Sequence, residues 1–520
     1  MFMRILLICL VFQFYWLPGK TQQKDSLAMK YAASITQEEL KLYIEMLASD
    51  EFEGRETGQK GEKMAADYLG KEFQALGLPP VNDGSYFQEF KLKEYKPQGS
   101  VVVGNKEFRL LKDFVVYGKG GEKVELDSML FCGFGMETES FNEYAGMPVK
   151  GKNVMVLAGE PRDKNGFSRL TGDTTRSAID VDFIVKTRRA SEKGARRVFY
   201  VVKDFTRTIA PFLGYFANPK LSLDDTKKVS PNEQAIYIIS DEMASAILEE
   251  AGQNLKRTES KINRRVKPES FPFAAEIDIN TIVDPGEVTA RNVLGYIEGT
   301  DLRDEILLIT AHFDHLGKHH GDIYHGADDN GSGTAGLLEI AEAFALAKRD
   351  GHGPRRSVLV MPVTAEEKGL LGSNYYSKHP VFPLENTIAD LNIDMIGRHD
   401  EKHEGKPNYI YVIGSDRLSL DLHDLNEWVN QAYVGIDLDY TYNAKDDPNN
   451  YYGRSDHINF ARKKVPVIFY FSGNHEDYHK PTDTMDKIEF DRLEERIKLV
   501  FYTAWHLANG EERPRLNEEK

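Results

Sequence analysis

The sequence predicts an α/β fold with a mixed, mostly parallel central sheet flanked by helices and interrupted by a β-rich insert. From about residue 285, short apolar runs alternate with amphipathic helices, which is typical of a buried, largely parallel sheet. Between residues 96 and 280, short β-rich runs broken by glycine predominate instead. We therefore divide the chain into residues 1–21, 22–95, 96–280 and 281–520, of which the second and fourth form one domain.

The first part of that domain is predicted to be helical. Thr36, with Glu39 three residues later, forms the capping-box pattern, and apolar residues then recur at helical spacing to residue 47. A second helix is expected over residues 60–76. In the last part, strands are predicted at residues 292–297, 306–311, 357–363, 388–393, 409–413 and 465–471. Long helices are predicted at residues 332–348, 418–431 and 490–507.

The composition excludes several classes of protein. The 520 residues are 41% hydrophobic and 28% charged, which is a globular composition and not that of a disordered or fibrous chain. With 82 Asp and Glu against 66 Lys and Arg, the formal charge is -16, which argues against nucleic acid or an anionic membrane as partner. Two cysteines are too few for a disulfide framework.

The amino terminus predicts export. Arg4 precedes an apolar run at residues 5–17, and small or polar residues follow, which is the layout of a cleaved signal peptide over residues 1–21. The run is too short to span a bilayer comfortably, and no later segment is long and apolar enough. We therefore expect a periplasmic or extracellular protein with no stable membrane insertion after cleavage.

Acids and histidines follow the predicted strands of the last part of the chain. Each has an ordinary structural explanation when taken singly, such as a hydrogen-bonded pair, a helix cap or a solvated loop. Their recurrence at successive strand ends is more informative, because the carboxyl ends of parallel strands meet at one edge of a sheet. Mixed nitrogen and oxygen ligands suit zinc, without excluding cobalt or manganese, and a ligand that bridges two ions must be a carboxylate.

The motifs HFDHLG, GADDNGSG, TAEEKGLLGS, LNIDMIG and HKPTDT occur in this order between residues 312 and 484. As a set they resemble the five blocks of the co-catalytic zinc peptidases of metallopeptidase family twenty-eight. This family includes secreted aminopeptidases and glutamate carboxypeptidases. The segment from about residue 96 to 280 resembles the protease-associated domain that many members insert.

The resemblance implies a role for each residue of the five blocks. Two zinc ions would be held by five ligands, with Asp329 as the bridge: His312, Asp329, Glu367, Asp394 and His479. Glu366 would be the general base, and Asp314 would orient His312. The family often has a cis peptide after the bridging acid, so we expect one at Asp329-Asn330.

Other polar residues near these blocks receive a different interpretation. Since the ligand set is complete without them, we do not expect four clustered histidines to bind metal: His315, His319, His320 and His325. Ser455-Asp456-His457 resembles the segment that lines the substrate side of the family's site, although a turn before a helix explains it equally well. Asp456 and Tyr452 are therefore our candidates for substrate contacts.

The resemblance implies an exopeptidase that removes amino-terminal residues from a peptide substrate, with Glu366 as the base. A glutamate carboxypeptidase-like peptidase and a glutaminyl cyclase, which uses a similar constellation with one zinc, are the alternatives. A non-catalytic binding protein, as in the transferrin receptor branch, is more remote because all five ligands and Glu366 are present. The sequence leaves the residue preference and the oligomeric state undefined.

Overall fold

The computed structural model describes residues 24–117, 122–174, 179–223, 235–281, 285–319 and 321–517. The chain forms two compact units, which we call the discontinuous unit (residues 1–90 and 290–520) and the inserted unit (residues 91–289). The predicted divisions after residues 95 and 280 lie close to these. The predicted signal peptide and His320 lie outside the described residues.

The first part of the discontinuous unit is helical, as predicted. It contains α1 (Ser26–Ala32), α2 (Gln37–Leu47) and α3 (Lys60–Ala75). The Thr36 hydroxyl caps α2 by accepting a hydrogen bond of 3.3 Å from the backbone N–H of Glu39. The backbone N–H of Thr36 donates to Glu339 at 3.0 Å, so the reciprocal bond of a capping box is replaced by a tertiary contact.

Strand β1 (Phe87–Tyr95) leads into the inserted unit. The next strands are β2 (Ser100–Val103), β3 (Lys106–Arg109), β4 (Phe114–Tyr117), β5 (Lys123–Phe131), β6 (Asn153–Leu157), β7 (Arg197–Val202), β8 (Lys220–Leu223), β9 (Ala235–Ser240) and β10 (Phe271–Asn280). The helices of this unit are α4 (Ile179–Glu192), α5 (Phe205–Ile209), α6 (Leu213–Ala217), α7 (Asp241–Glu250) and α8 (Leu255–Arg265). Eight of the strands form one sheet in the order β3-β2-β10-β5-β6-β7-β9-β4, so the unit is β-rich.

Strand β11 (Gly286–Val293) leads back to the discontinuous unit. Its further strands are β12 (Gly295–Ile297), β13 (Leu302–His312), β14 (Gly317–His319), β15 (Asp322–Tyr324), β16 (Arg356–Val363), β17 (Thr387–Ile393), β18 (Tyr409–Ile413), β19 (Asp437–Asp439) and β20 (Val467–Phe471). Its further helices are α9 (Gly333–Arg349), α10 (Leu371–Lys378), α11 (Ser415–Leu418), α12 (Leu420–Val429), α13 (His457–Ala461) and α14 (Phe490–Asn509).

The central sheet of the discontinuous unit has seven strands in the order β12-β16-β13-β17-β20-β18-β19. The four neighbouring strands β16, β13, β17 and β20 run parallel, whereas β12 and β18 pair antiparallel with β16 and β20. The predicted mixed, mostly parallel sheet flanked by helices is therefore confirmed. Because the four central strands are parallel, their carboxyl ends lie at one edge.

Helices α9 and α14 supply much of the core against this sheet. Leu337 and Phe344 on α9, together with Ile497 and Phe501 on α14, are fully buried in one cluster with strand residues. Burying one apolar side chain of this size stabilises the folded chain by about 1.5–3 kcal/mol. This packing holds in place the sheet edge on which the polar residues lie. Among the described residues, no helix combines the length and apolarity needed to cross a membrane.

Candidate active site

The predicted ligands lie together at the carboxyl edge of the four parallel strands. His312 ends β13, Glu366 and Glu367 follow β16, Asp394 follows β17, and His479 lies beyond β20. Asp329 belongs to the turn before α9, and the Asp329-Asn330 peptide is cis, as predicted. The alternating strand and helix pattern therefore brings residues that are 167 positions apart in the sequence to one site.

Asp329 lies between two histidines. Its Oδ1 is 3.4 Å from His312 Nε2, and its Oδ2 is 3.2 Å from His479 Nε2. Asp394 Oδ1 is 3.2 Å from His312 Nε2, and Glu367 Oε2 is 3.3 Å from His479 Nε2. Each oxygen of Asp329 thus faces its own histidine and acid, which is the arrangement that a carboxylate bridging two cations requires.

The ring of His312 is oriented by the backbone. Its Nδ1 lies 3.1 Å from the carbonyl oxygen of Asp314 and 3.8 Å from the carboxylate of the same residue. When Nδ1 carries the proton and donates it to this carbonyl, Nε2 is unprotonated and directs its lone pair toward Asp329 and Asp394. The Asp314 carboxylate, predicted to orient His312, instead accepts hydrogen bonds from Thr57 and from the backbone N–H of Glu366.

His315 lies beside the predicted ligands, contrary to the expectation from the sequence. Its Nδ1 is 3.0 Å from Glu367 Oε1 and 3.7 Å from Asp329 Oδ2, and its ring lies beside that of His479. Its Nε2 is buried without a hydrogen-bond partner among the described residues. His315 therefore belongs to the immediate surroundings of the site.

The donor set fits divalent cations. One ligand atom each from His312, Asp329 and Asp394 lie within 4.8 Å of one another, and the same holds for His315, Asp329 and Glu367. Asp329 Oδ2 is buried without a hydrogen bond of good geometry among the described residues. Nitrogen and carboxylate donors in such groups are typical of zinc sites.

The crowding of charges shifts the pKa values of the site. Burial alone would lower the pKa of His312, but Asp394 and Glu366 raise it well above the usual value. Burial also opposes the shift at His479, whose close contacts with Asp329 and Glu367 raise its pKa to about 10. In Glu367, His315 and His479 outweigh burial and hold the pKa well below its usual range.

Glu366 differs from its neighbour. Burial raises the pKa of its carboxyl well above the usual value, and the charge of His312 only partly opposes this shift. A carboxyl that holds a proton readily and lies beside a metal-binding group is suited to proton transfer. The two adjacent glutamates therefore differ in their affinity for a proton, which fits the separate roles that the resemblance implies for them.

The wall of the site cavity contains several aromatic side chains and one arginine. The cavity is lined by the predicted ligands His312, Asp329, Glu367, Asp394 and His479, by Glu366, and by Met395, Tyr451, Arg454, Phe469, Phe471, Asn474 and Tyr478. Neither predicted substrate residue is among them. Tyr452 instead stacks on Arg417, with the guanidinium carbon 3.8 Å from the ring centroid. Asp456 is fully buried and accepts a hydrogen bond of 2.5 Å from Ser373.

The side chains of Tyr452 and Asp456 do not line the cavity, whereas Tyr451 and Arg454 do. Tyr451 and Tyr452 are neighbours in a short 3-10 turn, so they point in different directions, and Tyr451 is the one that reaches the cavity. Asp456 directs its side chain into the protein toward α10, where burial raises its pKa to about 7. Arg454, two residues earlier, is exposed and lines the cavity.

Residues 292–504 match the model of peptidase family M28. The chain is 26% identical to aminopeptidase YwaD of Bacillus subtilis over 244 residues, which cover 44% of this chain and 47% of that protein. It is 26% identical to the probable glutamate carboxypeptidase AMP1 of Arabidopsis thaliana over 355 residues, 66% of this chain and 48% of that protein. The chain thus spans about half the length of these relatives.

Solved structures share the fold at lower identity. An aminopeptidase from Aneurinibacillus sp. strain AM-1 aligns with a TM-score of 0.55 at 17% identity, covering 94% of this chain and all of that one. A zinc aminopeptidase from Bacillus subtilis aligns with a TM-score of 0.51, also at 17% identity, covering 94% and 99%. At this identity the likeness concerns the fold alone.

Proposed function

Since the segment that carries these side chains belongs to peptidase family M28, we propose that the protein is a zinc-dependent aminopeptidase that hydrolyses amino-terminal residues from peptides. The observation that carries the proposal is the position of Asp329, whose two oxygens face two different histidine and acid pairs. Zinc ions held there would supply Lewis-acid activation of a water and of the scissile carbonyl.

The chain's own residues would perform the remaining steps. His312, Asp329 and Asp394 would hold one ion, and Asp329, Glu367 and His479 the other. Glu366 would take the proton of the attacking water and deliver it to the departing amine. The raised pKa of Glu366, caused first by burial, favours its holding that proton between the two steps.

Two features support amino-terminal specificity. Glu366 lines the cavity beside the predicted ligands, and its ionised carboxylate would attract the free ammonium group of a peptide. Relatives of the chain include proteins named as aminopeptidases.

One observation favours the alternative of a glutamate carboxypeptidase-like enzyme. Arg454 lines the cavity, and no carboxylate lies within 4 Å of its guanidinium among the described residues; its contact is with the ring of Tyr451, 5.0 Å away. An unpaired guanidinium in a substrate cavity is suited to binding a substrate carboxylate.

A panel of peptides with free or blocked ends, analysed by mass spectrometry, separates the two functions. An aminopeptidase releases the first residue, requires a free amino terminus and tolerates an amidated carboxyl terminus. Loss of the last residue from amino-blocked peptides, abolished by Arg454→Gln, would instead establish the carboxypeptidase alternative. Formation of a cyclised product from an amino-terminal glutamine would indicate a glutaminyl cyclase.

We also propose that the protein is exported to the periplasm or the extracellular space. The support is the layout of its first 21 residues, a basic residue followed by a short apolar run and a polar stretch. Fractionation of the producing cells and amino-terminal sequencing of the purified protein test this. An intact amino terminus in the cytoplasmic fraction would contradict it.

A further inference from the structure

Arg55 lies in the amino-terminal segment, more than 230 residues before the part of the chain that matches the family model. Its side chain is completely buried. The guanidinium donates hydrogen bonds to four backbone carbonyls: those of Phe313 at 2.7 Å, His325 at 2.8 Å and Gly326 at 2.9 Å, and that of Leu47. Phe313 follows the ligand His312 directly, and Gly326 precedes Asp329 by three residues.

The bonding of Arg55 joins two loops that carry ligands. One loop leaves β13 with His312, and the other enters α9 with Asp329. A planar guanidinium offers five N–H donors in fixed directions, so one side chain can hold several carbonyls of separate loops in register. Burial lowers the pKa of Arg55 to about 10, and the nearby acids Asp329 and Asp483 oppose this shift. The buried cation therefore also offsets part of the negative charge of the site.

Thr57, two residues later, reaches the site through Asp314. Its hydroxyl donates a hydrogen bond of 2.7 Å to Asp314 Oδ2, and both residues are buried. The other oxygen, Oδ1, accepts a bond of 3.1 Å from the backbone N–H of Glu366. The hydroxyl of Thr57 thus fixes the carboxylate that in turn holds the backbone of the proposed general base.

The same short segment makes three more contacts with the loops around the site. The backbone N–H of His315 donates to the carbonyl of Arg55 at 3.2 Å. Lys368, next to Glu367, pairs with Glu56 at 2.7 Å. At Gly54, which has φ +69, a Cβ would lie 2.5 Å from the carbonyl oxygen of Gly317, so the segment is packed against the β14 hairpin without room for a side chain.

We propose that Arg55 and Thr57 are positioning residues for the metal site, setting the relative placement of His312, Asp329 and Glu366. This inference rests on the zinc site of the proposed function. It assigns part of the positioning of the ligands to a segment outside residues 292–504, which match the family model. Partners of metal ligands that act in this way typically change metal affinity or activity by about 10- to 100-fold when they are removed.

Thr57 provides the cleaner test because an isosteric substitution is available. Thr57→Val removes the hydroxyl and keeps the shape, whereas Thr57→Ser keeps the hydroxyl. We expect Thr57→Val to lose about 10- to 100-fold in zinc affinity, measured by chelator competition, or in kcat, with KM nearly unchanged. Thr57→Ser should restore both values to within about threefold of wild type. The visible spectrum of the cobalt-substituted protein should change in Thr57→Val and not in Thr57→Ser.

Arg55→Lys is the second variant. A single ammonium group replaces four directed contacts with at most three, so we expect weaker zinc binding and a lower kcat even though the charge is kept. Val429→Ala, in the buried face of α12, which packs on α11 and α14, is the control for a general loss of stability. It should lower the thermal midpoint and leave zinc affinity unchanged.

The outcomes separate this inference from the proposed function. Zinc affinity and kcat within about twofold of wild type in Thr57→Val would overturn the positioning role, whatever substrate the enzyme uses. The zinc measurement needs no substrate, so a wild-type protein that binds zinc but cleaves no peptide would contradict only the proposed activity. Equal losses of zinc affinity in Thr57→Val and Val429→Ala would show that Thr57 has only a general structural role, and would overturn the inference.

Discussion

The backbone N–H of Glu366 donates a hydrogen bond of 3.1 Å to the carboxylate of Asp314, which ties the loop after β16 to the end of β13. This bond places the proposed general base relative to the strand that carries His312. The carboxylate lies 3.8 Å from His312 Nδ1, which is too long for a hydrogen bond, so its clearest effect is on the Glu366 loop.

Asp314→Asn should therefore reduce kcat more than it reduces zinc affinity. The side chain of Asn keeps one oxygen that accepts hydrogen bonds, and an NH₂ group, which only donates, replaces the other. In the present arrangement that oxygen can accept from the Glu366 N–H or from the Thr57 hydroxyl, but not from both. We expect kcat to fall by about 10- to 100-fold. Steady-state kinetics together with zinc analysis of the purified variant check this. A larger loss of zinc than of kcat would show that Asp314 acts mainly on the metal.

Asp329 should be required for both metal ions and Asp394 for only one. Asp329→Ala removes the oxygens that face both His312 and His479, whereas Asp394→Ala removes a ligand from the His312 group alone. We expect the zinc content of Asp394→Ala to fall by about one ion per chain and that of Asp329→Ala by about two. Elemental analysis after dialysis measures both. Retention of one ion by Asp329→Ala would contradict its assignment as the bridge.

The pattern at the strand ends explains why most of this site was predictable. An apolar strand with an acid or a histidine at its end, or within three residues of it, is visible in the sequence for β13, β16 and β17. Parallel pairing brings those strand ends together at one edge of the sheet. The residues that were missed lack such a local signal. In the sequence, nothing distinguishes His315 from the nearby His319 and His325. The path of the chain through the β14 hairpin places the ring of His315, and not the other two, against Glu367.

Other contacts depend on tertiary structure alone. Arg55 lies 258 residues before Phe313 and Thr57 lies 257 residues before Asp314, so no local pattern in the sequence predicts these contacts. Tyr451 and Tyr452 are the same residue type at adjacent positions. The backbone conformation of one short turn decides which of the two side chains reaches the cavity. Asp456 was chosen for its motif, but its side chain bonds to Ser373 on α10.

His457 should make the free energy of unfolding depend on pH. Burial lowers its pKa to about 3, against 6.5 for an exposed histidine, and its Nε2 bonds to the carbonyl of Tyr452 at 3.0 Å. In the window from pH 6.5 down to pH 3, the unfolded chain takes up a proton that the folded chain does not. The stability contributed by neutral His457 is therefore lost as the pH falls, by about 1.4 kcal/mol per pH unit.

Denaturant unfolding of wild type and His457→Gln at several pH values, in the presence of a chelator, measures this contribution. The stability of wild type should decline more steeply than that of the variant between pH 6.5 and pH 4. Parallel profiles would show that His457 is protonated in the folded protein as readily as in the unfolded chain.

The central claim is that Glu366 moves the proton in a metal-assisted hydrolysis while its neighbour Glu367 holds metal. The most direct measurement compares wild type and Glu366→Gln for zinc content and for turnover of a peptide with a free amino terminus. We predict unchanged zinc content and a turnover lowered by about 100- to 10,000-fold, because the amide cannot accept the proton of the attacking water. Turnover in Glu366→Gln comparable to that of wild type, at equal zinc content, would contradict the account.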